Sequence, residues 1–566
     1  MPPTHSIIRT MLRGIRFVRH AIWPNVQVTA ASPDIHVDWN VPVRLRDGTV
    51  LRVNVFRPKW GGPFPVIMSA HPYGKDKIPA KTRSGRGAPL QSRLLPQPHT
   101  VRISAYTSWE APDPNVWVRE GYAVVNADLR GGGTSEGIGD LFSDEEAQDY
   151  YDLIEWAGTQ AWSTGRVGLD GVSYLAISQY KVAALQPPHL AAICPWEGLS
   201  DVYRDFARPG GVLENGFSKL WSWLTGKEAR IRTSLYEAIL QHPERDDWYQ
   251  ARTPKLEDIK VPMLVCGSFS DHLLHTRGSF EVFRRAGSRQ KWLYTHRDGK
   301  WCAYYSDDAT QTRIRFFDHF LKEVANGWNR QSPLRLAITE AGPDAASVVH
   351  EDTWPPHDVE WQKLWLDATT KTMHLEQTVA AGVASASLPG GRLSFLWNVP
   401  EDIDMIGHMA LYLHMEIQGA TDALLFVGLR KFSQGAEVTF EGSYGFSEDM
   451  VSKGWQRAAH RELDAALSTV EQPVYTHSRV SPLKPKEIVP IAISMRPHAT
   501  RMRKGDQLRL DIQGRWFYPK SKFGGQFPAS YEKSGEAICT FHTGAEHPAY
   551  LLMATRASIA GSGRQR

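Results

Sequence analysis

Ser173 is the side chain in this sequence best placed to act as a nucleophile. It lies in Gly171-Val172-Ser173-Tyr174-Leu175-Ala176, between an apolar strand pattern and a helix pattern, the context that gives a G-x-S-x-G elbow its meaning. The turn crowds the backbone two residues before the serine, and Gly171 fills that position. Ala176 stands one place beyond the usual second glycine. A helix starting directly after Ser173 aims its unbonded amides at the site, so the Tyr174 N–H is expected to donate to a developing oxyanion.

A serine hydroxyl at neutral pH needs a base, and the base needs an orienting acid. In a strand-helix-strand sheet those partners follow in the order acid, then histidine, each at the end of a later strand. Asp271 follows the apolar run VPMLVCGSF and His296 follows KWLYT, so the expected triad is Ser173, Asp271 and His296. His272 and His275 lie too near Asp271 in sequence to come from the next strand, and His319 falls on a helix face. Asp298 and Asp307 break the chain order, and Asp201 opens a helical stretch. The second oxyanion donor is expected from HPYGKDK, with Tyr73 just past a strand's carboxyl end.

The elements that must position these groups are legible as alternating patterns. VPVRL, the turn pair Asp47-Gly48 and TVLRVNVF predict a hairpin. PFPVIMSA and GYAVVNAD predict buried strands, EEAQDYYDLIEWAGTQ a helix, and RVGLDGVSYLAISQYKVAAL a strand, a sharp turn and a helix. Residues 78–112 read as a long excursion without elements of its own. Between about Ser200 and Thr253 only helical spacing remains, which predicts a cap over the site; VPMLVCGSF, SFEVFRRAG, KWLYT and RIRFFDHFLKEVANG then complete the sheet and its cover. Beyond Pro333 short β-forming runs dominate, predicting an all-β sandwich or jelly roll. The expected division is a 1–35 extension, an α/β-hydrolase domain over 36–199 and 256–330, a helical cap over 200–255 and a jelly roll over 331–566.

With 566 residues the chain exceeds what one core serves, and its 42% hydrophobic and 22% charged residues are ordinary for a globular protein. A net charge of +4 gives no broad footprint for nucleic acid. The four cysteines, Cys194, Cys266, Cys302 and Cys539, have neither zinc-site spacing nor the number for a disulfide framework. They point to a reducing compartment, so a cytoplasmic location is expected. Arg9, Arg13, Arg16 and Arg19 interleave with apolar residues in an amphipathic pattern, read as a leading helix packed on the main domain, with organellar targeting as the alternative. No run approaches the ~20 apolar residues of a membrane span.

Taken together, LRDGTVLRVNVFRP, HPYGKDK, GYAVVNADLRGGGTSEG, GRVGLDGVSYLA, RFFDHFLKEVANG, ALLFVGLRK, GWQRAAHRE and RKGDQLRLDI resemble the cocaine esterase and X-prolyl dipeptidyl peptidase family of α/β-hydrolases. The resemblance runs from about Val41 to the last strands. It implies a hydrolase domain, helical cap and jelly roll, a triad at Ser173, Asp271 and His296, and an oxyanion hole from the Tyr73 hydroxyl and Tyr174 amide. The stretch with Asp128, Arg130, Ser135 and Glu136 is read as scaffold, a buried charge pair holding a turn. Leu293-Tyr294-Thr295 stands where the family often carries tryptophan before the histidine. The expected activity is cleavage of a small-molecule carboxylic ester through an acyl-enzyme. The alternatives are an amide hydrolase, with Glu197, Asp201, Asp205 and Glu214 available for a substrate amine, and a non-catalytic carbohydrate-binding protein. No metal, nucleotide or organic cofactor is called for. Nothing sets the oligomeric state, and a homo-oligomer is compatible with the sequence.

Overall fold

The computed structural model describes residues 14–558 apart from 16, 83–84, 378–379, 446 and 519–527. Most of the arginine-rich N-terminal pattern, including Arg9, Arg13 and Arg16, lies outside the described residues; a helix covers 17–22.

The hydrolase-like half is built on nine strands: β1 (Ile35–Arg44), β2 (Val50–Pro58), β3 (Phe64–His71), β4 (Ala123–Asp128), β5 (Ser163–Val172), β6 (Leu190–Trp196), β7 (Met263–Ser268), β8 (Lys291–His296) and β9 (Leu334–Thr339). β1 and β2 form the expected hairpin, with Val43 opposite Leu51. The Asp47-Gly48 turn closes it, where Gly48 takes a φ of 89° that a side chain rarely tolerates. Pairings then run β2-β4-β3-β5-β6-β7-β8-β9, antiparallel at β2-β4 and parallel from β4 onward.

Alternate residues of the buried strands feed two apolar cores. Val66, Met68 and Ala70 of β3 enter the core that also takes Leu153 and Ile154 of helix α1 (Asp144–Gly158) and Tyr180 of α2 (Tyr174–Ala184). Ile67 turns to the other face, where Ile314, Phe316 and Phe317 of a later helix (Asp307–Leu321) close the second core. Such double coverage is what continuous apolar strands require. The sheet's parallel edges therefore put the ends of β5, β6, β7 and β8 side by side, where loops can collect side chains.

Residues 78–112 contain more structure than their composition predicts. Val101–Ser104 pairs in parallel with Val26–Thr29 to form a separate two-stranded sheet. The local cue is weak because each strand has only four residues, below the length at which period-two patterning stands out.

Residues 202–258 are helical and strand-free except for isolated bridges, and include a six-residue π-helical turn, Val202–Ala207, and the helix Phe217–Glu228. From Glu360 onward the described elements are all strands, antiparallel to one another apart from one parallel contact. Their inward residues, among them Leu364, Phe395, Leu411, Leu425, Leu508, Phe541 and Leu551, make a further apolar core. This all-β half touches the hydrolase sheet directly, Thr339 of β9 pairing with Thr500. No described helix is long and apolar enough to cross a membrane.

Candidate active site

Ser173 occupies a strained elbow between β5 and α2. Its φ is 60° and ψ −116°, a conformation a non-glycine residue adopts only when its surroundings enforce it. Those surroundings are visible: the Val172 amide donates to the Glu110 carbonyl at 3.1 Å and the Ser173 amide to the Trp196 carbonyl at 3.0 Å. Gly171 at φ 151° is required sterically, since a Cβ there would lie 2.5 Å from the Leu175 Cβ. The serine side chain stays partly exposed while its neighbours are buried.

The partner of that serine is His275. The Ser173 Oγ lies 3.2 Å from His275 Nε2, and His275 Nδ1 lies 2.5 Å from Asp271 Oδ2. This corrects the sequence reading of the histidine. Proximity in sequence excluded His275 only on the assumption that the base must come from the next strand. The chain after β7 instead winds into a turn, the Thr276 amide donating to the Asp271 carbonyl at 3.1 Å, before α3 (Thr276–Arg285) begins. Four residues of such a turn bring two side chains onto one face, so acid and base come from the same loop.

His296 lies where its strand predicts, at the end of β8, but it faces elsewhere. Its Nε2 is 3.1 Å from Glu197 Oε1, its Nδ1 accepts from the Asp298 amide at 3.2 Å, and its ring stacks on Trp196 with centroids 5.9 Å apart. Glu197 follows β6 with a φ of 54° and is fully buried. The site thus contains two histidine–carboxylate pairs, of which only His275–Asp271 reaches Ser173.

Lys300 ties the pairs together. It heads the short helix α4 (Lys300–Tyr304), and its buried Nζ lies 2.8 Å from Asp271 Oδ2, 3.0 Å from His275 Nδ1 and 3.8 Å from Glu197 Oε2. The all-β half places it: the Lys300 amide donates to the Ser443 carbonyl at 3.1 Å, and the Tyr444 ring lies 4.8 Å from the ammonium. No spacing rule in the sequence singles out Lys300 or Glu197 for this role; both depend on loops meeting across strand ends.

Burial and this ammonium set the charge states. Burial alone would raise the Asp271 carboxyl, but Lys300 and His275 outweigh it and hold the group well below the usual carboxylate range. His275 is pushed down, first by burial and then by Lys300, with Asp271 opposing. A neutral imidazole therefore donates its Nδ1 proton to Asp271 and presents Nε2 as acceptor to the serine. Glu110, buried beside them, is pushed up to about 8 by burial and accepts from the Trp301 Nε1 at 3.1 Å. Glu197, Asp271 and His275 carry ligand-type atoms within 4.8 Å of one another. The Lys300 ammonium already supplies a positive charge among them, so this donor set does not fit a resident metal ion.

Tyr73 packs beside the elbow, its ring centre 6.2 Å from that of Tyr174. Its hydroxyl accepts from the Trp221 Nε1 at 3.2 Å, and Trp221 belongs to the helix Phe217–Glu228. Burial drives the phenol well above its ordinary range, so it remains protonated and able to donate. The Tyr174 side chain turns away to donate to Glu146 Oε2 at 2.5 Å, leaving its backbone amide at the head of α2. Phe142, Tyr174 and Trp221 continue as an aromatic wall, Tyr174 and Trp221 stacking at 5.9 Å and Trp221 meeting Phe206 at 5.7 Å.

The expected scaffold cluster is present with different partners. Asp128 is buried and pairs with Lys75 at 3.2 Å while accepting from the Lys75 and Thr134 amides. Arg130 pairs with Asp149 and Asp47, at 2.7 and 2.8 Å, and not with Asp128. Lysine from HPYGKDK thus anchors the Tyr73 loop to the end of β4.

Comparison with known proteins agrees with this architecture. Residues 47–231 match the X-Pro dipeptidyl-peptidase (S15 family), and residues 326–552 match the X-Pro dipeptidyl-peptidase C-terminal non-catalytic domain. A cocaine esterase from Rhodococcus sp. is 24% identical over 91% of this chain and 97% of its own length. A putative Xaa-Pro dipeptidyl-peptidase from Streptomyces avermitilis is 25% identical over 54% of this chain and 48% of its own. The crystal structure of a CocE/NonD family hydrolase from Staphylococcus aureus superposes with a TM-score of 0.87 at 33% identity, covering 94% of this chain and 99% of that one. On that likeness, spanning both halves, the chain belongs to the CocE/NonD family of hydrolases.

Proposed function

We propose that this hydrolase cleaves small-molecule carboxylic esters through an acyl-enzyme on Ser173. His275 Nε2 takes the serine proton as Oγ attacks the carbonyl carbon, and Asp271 orients the imidazole and stabilises the imidazolium. The Tyr73 hydroxyl and the Tyr174 amide receive the oxyanion. His275 then returns the proton to the leaving alkoxide, and a water activated by the same histidine releases the acid. The observation that carries this reading is the line Ser173 Oγ, His275 Nε2, His275 Nδ1, Asp271 Oδ2. Residues 200–255 serve as a cap whose Trp221 holds Tyr73, residues 331–566 as a jelly roll whose Ser443 and Tyr444 hold Lys300, and the protein works in the cytoplasm.

Amide cleavage is the second reading, favoured by the match to X-Pro dipeptidyl-peptidases. Such a substrate brings a free amine that needs an unengaged carboxylate. The four acids available for it are already engaged by the chain itself. Glu197 faces His296 and Lys300, Asp201 pairs with Arg204 and Arg245, and Asp205 with Arg277. Glu214 accepts the amides of Gly216, Phe217, Ser218 and Ser530. This occupancy supports uncharged esters over α-amino-acyl amides.

Ser173→Ala should lower nitrophenyl-ester turnover by at least about ten-thousandfold with the fold intact, and wild type should hydrolyse those esters far better than a dipeptidyl-proline anilide. Activity of the variant within tenfold of wild type would remove Ser173 from the chemistry, and preferential anilide cleavage would reverse the substrate ranking.

A further inference from the structure

Away from Ser173, where the π-helical turn Val202–Ala207 and α3 meet the all-β half, lies a cavity of about 50 Å³. A water's share of the liquid is about 30 Å³, so the space admits one small ion or one to two waters. Three guanidinium groups line it, Arg204, Arg277 and Arg496, with Trp455, Gln456, Gln472, Tyr475 and His477, and no carboxylate is among the lining residues.

Two of the arginines are neutralised from behind. Arg204 pairs with Asp201 at 2.8 Å and Arg277 with Asp205 at 2.6 Å. Arg496 is not. It is 7% exposed, its Nε donates to the His272 carbonyl at 3.0 Å, and its guanidinium lies 4.7 Å from the Trp455 ring centre. Among the described residues no carboxylate lies within 4 Å of it. Donors on the lining are also left over, since the buried Arg204 Nε and Trp455 Nε1 have no acceptor. His477 adds no positive charge, because burial first and Arg204 next hold it well below its usual range.

A buried guanidinium with no carboxylate in contact, beside orphaned donors and a half-open cavity, calls for an acceptor that carries negative charge. Water would satisfy the donors but leave the charge. We propose that this cavity binds a small monovalent anion of chloride size, held by Arg496 with the Arg204 and Trp455 donors, and that the ion braces the Asp271 loop through the Arg496 bond to the His272 carbonyl. The site is independent of which histidine serves Ser173.

Crystals of the full chain soaked in sodium bromide test it at the bromine absorption edge. An anomalous peak inside the cavity, against Arg496, is expected in wild type and should vanish in Arg496→Met. An empty cavity in wild-type crystals whose surface sites carry bromide would overturn the proposal, whether or not the variant folds. In solution, exchanging gluconate for chloride at equal ionic strength should raise the melting temperature by about 1–2 °C, as ligand linkage requires. A bromide peak with no such rise would mean binding at crystal concentration only and would overturn the proposal.

Discussion

The loop after β7 and the end of β8 each offer a buried histidine held by a carboxylate, and they differ in what the second nitrogen meets. At the β7 loop, Asp271 holds His275 Nδ1 and Nε2 is left for Ser173. At β8, Glu197 holds His296 Nε2 and the Asp298 amide takes Nδ1, so both nitrogens are engaged. Strand position alone favours His296; the nitrogen left to face Ser173 favours His275, and that supports it as the proposed base. A histidine–acid pair becomes a catalytic pair only when one ring nitrogen is left to face the nucleophile.

The comparison breaks most readily by substitution of the two histidines. His275→Ala should lower ester kcat/KM by about ten-thousandfold, whereas His296→Ala should cost less than about tenfold, both read by initial rates on a nitrophenyl ester. The reverse ordering would return the role to His296. Next in size, Tyr73→Phe should cost about a hundredfold in kcat, the usual worth of one oxyanion donor, with little change in KM. A KM effect alone would make Tyr73 a packing residue.

How much of this was legible in the sequence follows from where each group gets its position. Ser173 was, because a strand, a glycine and a helix fix the elbow locally, and the structure shows the strain at φ 60°. The hairpin at Asp47-Gly48, the buried strands and the all-β texture after Pro333 were legible for the same reason, each being a short-range pattern. Asp271 is expected from its place after β7, and its carboxylate meets His275 there. His275 carries a signal, the four-residue spacing Asp271 to His275, but chain order in this fold class favours a histidine on the next strand. Glu197 and Lys300 had none, since their contacts join β6, β8 and the Ser443 segment, groups brought together only by tertiary packing.

The elbow gives a stability test of smaller size. Gly171→Ala places a Cβ against Leu175 at a φ of 151°, and should destabilise the fold by about 1–3 kcal/mol in denaturant titration. An unchanged midpoint would mean the elbow relaxes freely.

Smallest and most specific is the effect of Lys300. The proposed base works when neutral, so activity should fall as pH drops through the His275 pKa, which burial and Lys300 hold low. Lys300→Met should shift the acidic limb of the kcat/KM profile upward by about one pH unit, and Lys300→Arg should restore most of the shift. The other charges facing His275, Asp271 and Glu197, remain in both variants. An unmoved limb would leave Lys300 as a brace for the loop and nothing more.

The most direct measurement is a crystal structure of the protein after reaction with a fluorophosphonate. The geometry predicts a phosphonyl group on Ser173 Oγ, an oxygen of that group directed to Tyr73 and the Tyr174 amide, His275 Nε2 at hydrogen-bonding distance from the adduct, and His296 still paired with Glu197. A phosphonyl group on any other residue, or an adduct on Ser173 contacted by His296 with His275 turned away, would contradict it.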